Sequence, residues 1–161
     1  MRAVVAFLAM LVASPALAGD PQPFLRGSWQ EVRQEHAGRP FIVHFWGLTC
    51  GPCLAELPQW GRFMRERPEL AMVMIAADPV VGEPAALSTT LAKAGLASAE
   101  SWMFADPFTE RLAYEIDPHW AGELPYTLLI RGDGSVMALP GTADFPALRD
   151  WVDRQVRQPS K

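Results

Sequence analysis

From residue 27 onward, segments whose apolar residues recur every three or four positions alternate with short runs that are almost wholly apolar. Ser28 opens the first helical segment as a candidate cap, with Glu31 completing a capping box and Trp29 and Val32 as buried positions. After the break Gly38-Arg39-Pro40, the run Phe41 to Trp46 reads as a buried strand. A helix then follows from about Cys50 to Arg67 and has to accommodate Pro58. Ala71 to Ala77 is a second strand ended by Asp78-Pro79, and Pro84 to Ala94 is a helix closed by Gly95. Ser101 to Ala105 reads as a short edge strand, and Asp106-Pro107 as the cap and first-turn proline of a helix reaching about Tyr114. Tyr126 to Ile130 and Ser135 to Pro140, joined through Gly132-Asp133-Gly134, form a hairpin. In the last helix Phe145, Leu148, Trp151, Val152 and Val156 share one face. The proline-rich residues 19–25 read as an exposed lead-in.

Strand alternating with helix favours a parallel sheet, and the late hairpin adds antiparallel strands. The expected fold class is therefore α/β, a three-layer α/β/α arrangement around a central mixed sheet. A chain of 161 residues, half of them apolar, supports one domain with a substantial core and is short for two. Its expected organisation is a leader over residues 1–18, an amino-terminal extension with a short helix over 19–38, and the domain proper over 39–158.

The leader is read from Arg2, the apolar stretch VVAFLAMLVA, and the small-residue site Ala16-Leu17-Ala18 before Gly19. This is the pattern of a cleaved secretory signal. The stretch is shorter than the roughly 20 residues that span a bilayer, the alternative being an uncleaved anchor. No cysteine follows the cleavage site, which excludes lipidation there. Removing the leader takes away Arg2 and no acid, moving the net charge from -4 to -5. A mildly acidic chain without a basic cluster has no electrostatic footprint for nucleic acid or for a lipid surface.

Export changes how the cysteines are read, because disulfides persist outside the cytosol. The chain has two, in Cys50-Gly51-Pro52-Cys53, which follows the run Phe41 to Trp46 after Gly47-Leu48-Thr49. A pair spaced in this way can close a small-ring disulfide, and a helix starting at the first sulfur stabilises its thiolate. The same spacing is half of a zinc site, but zinc requires four ligands and no second C-x-x-C or H-x3-H is present.

Taken with the strand before it, the proline-bearing helix after it and Leu124-Pro125 ahead of YTLLI, this motif resembles the thioredoxin superfamily, specifically its secreted TlpA/ResA-like branch. The resemblance spans roughly Arg39 to Arg157. Its most specific part is Cys50 to Pro58, C-G-P-C-L-A-E-L-P, similar to the branch signature C-x-x-C-x-x-E-x-P. It implies a thioredoxin-like fold, with Cys50 as attacking thiolate and Cys53 as resolving thiol. Glu56, one helical turn beyond Cys53, would accept or relay its proton. Pro125 would be cis and present a backbone edge to a client, with Leu124 over the sulfurs. Gly51 and Pro52, the dipeptide of the reducing thioredoxins, would tilt exchange toward reduction. The implied partners are a periplasmic client carrying a thiol or disulfide, such as apocytochrome c maturation proteins or copper-site assembly factors, and a membrane dithiol electron donor. We expect a periplasmic monomer that needs no cofactor.

Three departures from the family pattern stand out. His44, six residues before Cys50, replaces a buried acid or neutral polar residue and is a candidate base, or alternatively a hydrogen-bonded core histidine. Thr49 replaces the tryptophan common before the first cysteine, which opens the rim. The stretch between Tyr114 and Pro125 is about five residues longer than usual and carries Asp117-Pro118-His119-Trp120, where Trp120 is either a partner anchor or folded back on the domain. His119 or His44 with the two cysteines offers a rival reading, a copper-handling protein. A second rival is a non-catalytic adaptor whose disulfide is only a staple.

Overall fold

A computed structural model describes residues 20–78 and 83–157. The candidate leader, Pro79 and the side chain of Val156 lie outside the described residues. The elements in chain order are β1 (Gln22–Phe24), α1 (Ser28–Glu35), β2 (Phe41–Trp46), α2 (Gly51–Glu66), β3 (Ala71–Ala76), α3 (Pro84–Lys93), β4 (Glu100–Phe104), α4 (Thr109–Ile116), β5 (Tyr126–Ile130), β6 (Val136–Pro140) and α5 (Phe145–Arg157). Six strands form one mixed sheet in the order β1-β4-β3-β2-β5-β6. The first four run parallel, whereas β5 is antiparallel to β2 and β6 to β5.

Side-chain alternation along the strands divides the core between two helical layers. Phe41, Val43 and Phe45 of β2 join Val73 and Ile75 of β3 and pack against Trp29 and Val32 of α1 and Leu112, Ala113 and Ile116 of α4. The opposite face, with Ile42, Trp46, Met72 and Met74, packs against Leu57, Trp60 and Phe63 of α2, Leu87 and Leu91 of α3, and Phe145, Leu148, Trp151 and Val152 of α5. Fully burying a side chain such as Leu57 or Phe63 contributes about 2 kcal/mol. The three-layer α/β/α class expected from the sequence is observed. The methionines of β3 are core residues.

Four expectations are corrected. Residues 22–24 are not an exposed lead-in: they form β1, and its Phe24 is fully buried against Trp102 and Phe104. The run around Trp102 is consequently not an edge strand, since β4 lies between β1 and β3. Ser28 does not cap α1: Gly27 holds the cap position in the left-handed region, and the Ser28 hydroxyl accepts the Leu25 N–H at 3.1 Å. Similarly Asp106 accepts the Phe108 N–H at 2.8 Å, in a turn before α4 begins at Thr109.

α2 runs unbroken through Pro58. The lost donor would have reached the carbonyl of Leu54, an exposed residue that water can serve instead. Further along, a Cβ on Gly61 would overlap the Ala94 carbonyl. Glycine there lets α2 and the end of α3 approach closely, which seats α2 on the sheet.

Candidate active site

Cys50 and Cys53 are joined by a disulfide at the start of α2, where the parallel strands end. Cys50 is the cap residue of the helix: its sulfur accepts the Cys53 N–H at 3.2 Å, and Gly51-Pro52 form the first turn, where proline's missing N–H costs nothing. No acid occupies that turn, so no side chain of the helix itself offsets the positive end it presents to the Cys50 sulfur. Cys53 is fully buried, Cys50 half-buried, and Gly51 and Pro52 are exposed. A partner thus reaches Cys50 first.

His44 lies on the face of β2 that packs against α2, in register with Thr127 of β5. Its Nδ1 is 2.9 Å from the Thr127 hydroxyl, and its ring lies 4.9 Å from that of Trp60. Nε2 is 3.1 Å from Glu56 Oε1, close but off the line a full hydrogen bond requires, so the contact is electrostatic in kind. Glu56 is itself buried. Oε1 accepts the Trp60 indole N–H at 3.2 Å, and Oε2 accepts the Ala143 backbone N–H at 2.9 Å. Burial alone pushes the Glu56 carboxyl up, but the His44 ring and the two N–H donors outweigh it and hold the group below its ordinary value of 4.5. The carboxyl is therefore ionised at neutral pH, one helical turn from the buried sulfur.

The Leu124-Pro125 bond is cis. Leu124 packs on the apolar cluster that contains Cys50 and Cys53, and the Pro125 carbonyl accepts the Gly141 N–H at 2.9 Å. Gly141 and Ala143 belong to one loop, which ties the Pro125 turn to Glu56. Trp120 does not stand out as an anchor. It is buried, stacked on Tyr126 with ring centroids 4.9 Å apart and planes within 7°, and its indole donates to the Glu123 carbonyl at 2.8 Å. The apolar cluster formed by Phe45 and Phe104 draws it inward. Tyr126 donates its hydroxyl to Asp117 Oδ2 at 2.7 Å, locking the long segment to the strand that follows Pro125.

Neither histidine of the copper reading turns to the sulfurs. Both His44 nitrogens face Thr127 and Glu56, and His119 Nδ1 lies 3.3 Å from Asp117. Among the described residues no cluster of three or more His, Cys, Asp or Glu side chains is arranged to hold a metal ion.

No family model and no curated protein matches the chain. Solved structures do. A secreted Mycobacterium tuberculosis disulfide oxidoreductase homologous to E. coli DsbE superposes with a TM-score of 0.61 at 20% identity, over 75% of this chain and 85% of that one. StoA from Bacillus subtilis gives 0.56 at 22% identity, over 72% and 84%. A thioredoxin-related protein from Neisseria meningitidis serogroup B gives 0.58 at 22%, over 78% and 90%. This chain has the thioredoxin fold. Within that thioredoxin fold the dithiol motif, the cis-proline turn and the carboxylate of α2 come together at one end of the sheet. The supporting groups Thr127, Trp60 and Ala143 were not among the residues expected at the site. Only Thr127 left a signal, as a polar residue inside the apolar run YTLLI.

Proposed function

We propose that the chain is a thiol-disulfide oxidoreductase acting outside the cytoplasm, in the direction of disulfide reduction. The observation that carries this reading is the placement of the two sulfurs: Cys50 at the positive end of α2 and accessible, Cys53 fully buried one turn on. A staple would need neither the asymmetry nor the polar dyad behind it. In the reduced protein the Cys50 thiolate attacks one sulfur of a client disulfide, forming a mixed disulfide and expelling the other client sulfur, which takes a proton. Cys53 then gives up its proton and attacks the Cys50 sulfur, releasing the second client thiol and leaving the Cys50–Cys53 disulfide. Two electrons and two protons pass to the client.

Glu56 is the acceptor for the Cys53 proton, since an ionised carboxylate is the form that can take one, and the His44 ring 3.1 Å away gives that proton a second resting place. Leu124 and cis-Pro125 offer the client a backbone edge on which an extended segment adds as a strand. Clients are extracytoplasmic proteins with thiols or disulfides, with apocytochrome c maturation proteins among the candidates. The leader pattern and the secreted character of the M. tuberculosis neighbour support that compartment. Because it is oxidising, the pair is recharged by a membrane dithiol donor.

The test is the reduction potential of the Cys50–Cys53 couple, equilibrated in dithiol buffers and read from the fluorescence of Trp46, which packs on the same cluster, with alkylation as a check. A value near the roughly -270 mV of thioredoxin, or lower, supports reduction; one near the roughly -120 mV of DsbA reverses the direction of flow.

A further inference from the structure

The turn that delivers Cys50 is held from outside by one side chain. Past the end of β3, the Ala77 N–H donates to the Trp46 carbonyl at 2.9 Å, which extends the pairing of β2 with β3 and brings the next residue, Asp78, level with the turn after β2. Both oxygens of Asp78 accept from Thr49: Oδ2 from its backbone N–H at 3.1 Å and Oδ1 from its hydroxyl at 2.8 Å. The carboxylate lies so close against the Gly47 α-carbon that a side chain there would overlap it. Gly47 in turn supplies the carbonyl that accepts the Cys50 N–H at 3.3 Å. Asp78 therefore grips both the residue before the nucleophile and the residue that orients its backbone.

The grip also places charge. Among the described residues no cation forms an ion pair with Asp78, unlike Glu66 and Asp153, which pair with Arg149 and Arg67. α2 contributes no acid to its first turn, and the other titratable pair near the sulfurs, His44 and Glu56, lies behind Cys53. Asp78 is thus a carboxylate fixed on the turn that leads into Cys50. We propose that Asp78 is a positioning residue of the dithiol site, which fixes the turn ahead of Cys50 and opposes with its own charge the thiolate that the helix terminus favours, shifting the couple toward the reducing side. A less stabilised thiolate means a less stabilised reduced form and a lower potential. The same contacts explain why threonine stands before Cys50: a tryptophan there would have no hydroxyl to give to Asp78.

This inference rests on the reading of Cys50 and Cys53 as an exchange pair, and its test is separable from that reading. Cys50 acidity is measured on the reduced full chain from the pH dependence of its alkylation rate, with no client present; the equilibrium with dithiothreitol is measured alongside. Asp78→Asn, which keeps the shape and removes the charge, is expected to lower the Cys50 pKa by about half a unit, the scale of a partly exposed neighbouring charge. At a pH above the thiol pKa the equilibrium then shifts about threefold toward the reduced protein, or about 15 mV. Gly47→Ala, which displaces the carboxylate, should reproduce the acidity change, and the double variant should add little to either. A folded Asp78→Asn protein with wild-type Cys50 acidity overturns the proposal. If that variant does not fold, Gly47→Ala with unchanged acidity does so in its place. Failure of the exchange reading itself shows differently, as a wild-type protein that reduces no disulfide in insulin at any pH.

Discussion

The His44 ring and the Glu56 carboxylate meet inside the domain, Nε2 3.1 Å from Oε1, with side-chain exposures of 0% and 4%. A buried pair of this kind loses more hydration energy than its attraction returns unless its remaining hydrogen-bonding positions are filled. Here Thr127 serves His44 Nδ1, and Trp60 and the Ala143 N–H serve the two Glu56 oxygens, which leaves Nε2 to its electrostatic contact with Oε1. An apolar residue at the His44 position would meet the needs of packing without that expense. The fold instead keeps an ionisable pair whose Glu56 lies one helical turn from Cys53, and this supports the proposed role in exchange.

Removing the acceptor should slow one chemical step and spare the other. Glu56→Gln retains the shape of the side chain and abolishes its basicity. Resolution of the Cys50–client mixed disulfide is expected to slow roughly 100-fold, while the first attack by Cys50 is unchanged. His44→Gln should slow resolution by a smaller factor, about tenfold, since the first acceptor remains. Acid-quenched reactions with a disulfide-bonded peptide, analysed by mass, give both rates. Equal resolution rates in wild type and Glu56→Gln would remove Glu56 from the mechanism.

The same carboxyl shapes the acid limb of stability. Glu56 is held below its ordinary value of 4.5 in the folded oxidised protein, so around that pH the folded state binds fewer protons than the unfolded one. Its contribution is fully present above about pH 4.5 and is lost as pH falls through the folded value. Asp117, also held low, chiefly by the Tyr126 hydroxyl, acts with the same sign. Urea midpoints taken from pH 7 down to pH 3 should therefore fall less steeply in Glu56→Gln than in wild type, with the residual slope belonging to Asp117 and the other acids. Parallel slopes would mean that the unfolded chain holds Glu56 equally low.

Much of this architecture is legible in the chain because it is written in local periodicity. Phe41 to Trp46, Ala71 to Ala76 and Tyr126 to Ile130 are mainly apolar runs whose shortness and flanking turn signals read as buried strands, and the helix after Cys50 carries its apolar face in plain spacing. Gln22–Phe24 escaped because three residues carry no period, and proline signals a lead-in until Phe24 finds its pocket against Trp102 and Phe104. The dithiol, Glu56 and Pro125 were identifiable from motif and resemblance. Their supports were not, because Thr127 meets His44 across 83 residues and Ala143 meets Glu56 across 87, distances over which no local pattern reaches. Trp120 shows the converse limit: a tryptophan in a long loop fits an anchor as well as a core residue until the Phe45 and Phe104 side chains around it are known.

Trp120→Ala tests the core assignment directly. Truncating a buried, stacked tryptophan should lower unfolding stability by about 3–5 kcal/mol, read from urea denaturation of the oxidised protein. Trp120→Phe, which keeps an aromatic against Tyr126 but loses the indole bond to Glu123, should cost less than half of that. An exposed anchor would behave in the opposite way, with stability preserved and client turnover lost.

Tyr126 joins the stability of the long segment to the proposed client surface, because it follows Pro125 directly and its hydroxyl, 2.7 Å from Asp117, helps close the segment onto the sheet. Burial, and then the Asp117 carboxylate, push its pKa well above the ordinary 10.0. A group raised in this way stabilises the fold fully below its unfolded value and loses that contribution as pH climbs above about 10 through the folded value. Tyr126→Phe keeps the stacking on Trp120 and deletes only the bond. We expect a loss of about 1.5–3 kcal/mol at neutral pH, the range for a hydrogen bond to a charged group, and a flatter stability profile above pH 10 than in wild type. With the segment loosened beside Leu124 and Pro125, kcat/KM for a disulfide peptide should fall several-fold while Cys50 alkylation stays at its wild-type rate. That split separates a fault in the client-facing turn from a fault in the thiol: if alkylation fell in step with turnover, the Asp117–Tyr126 bond would be acting on Cys50 itself.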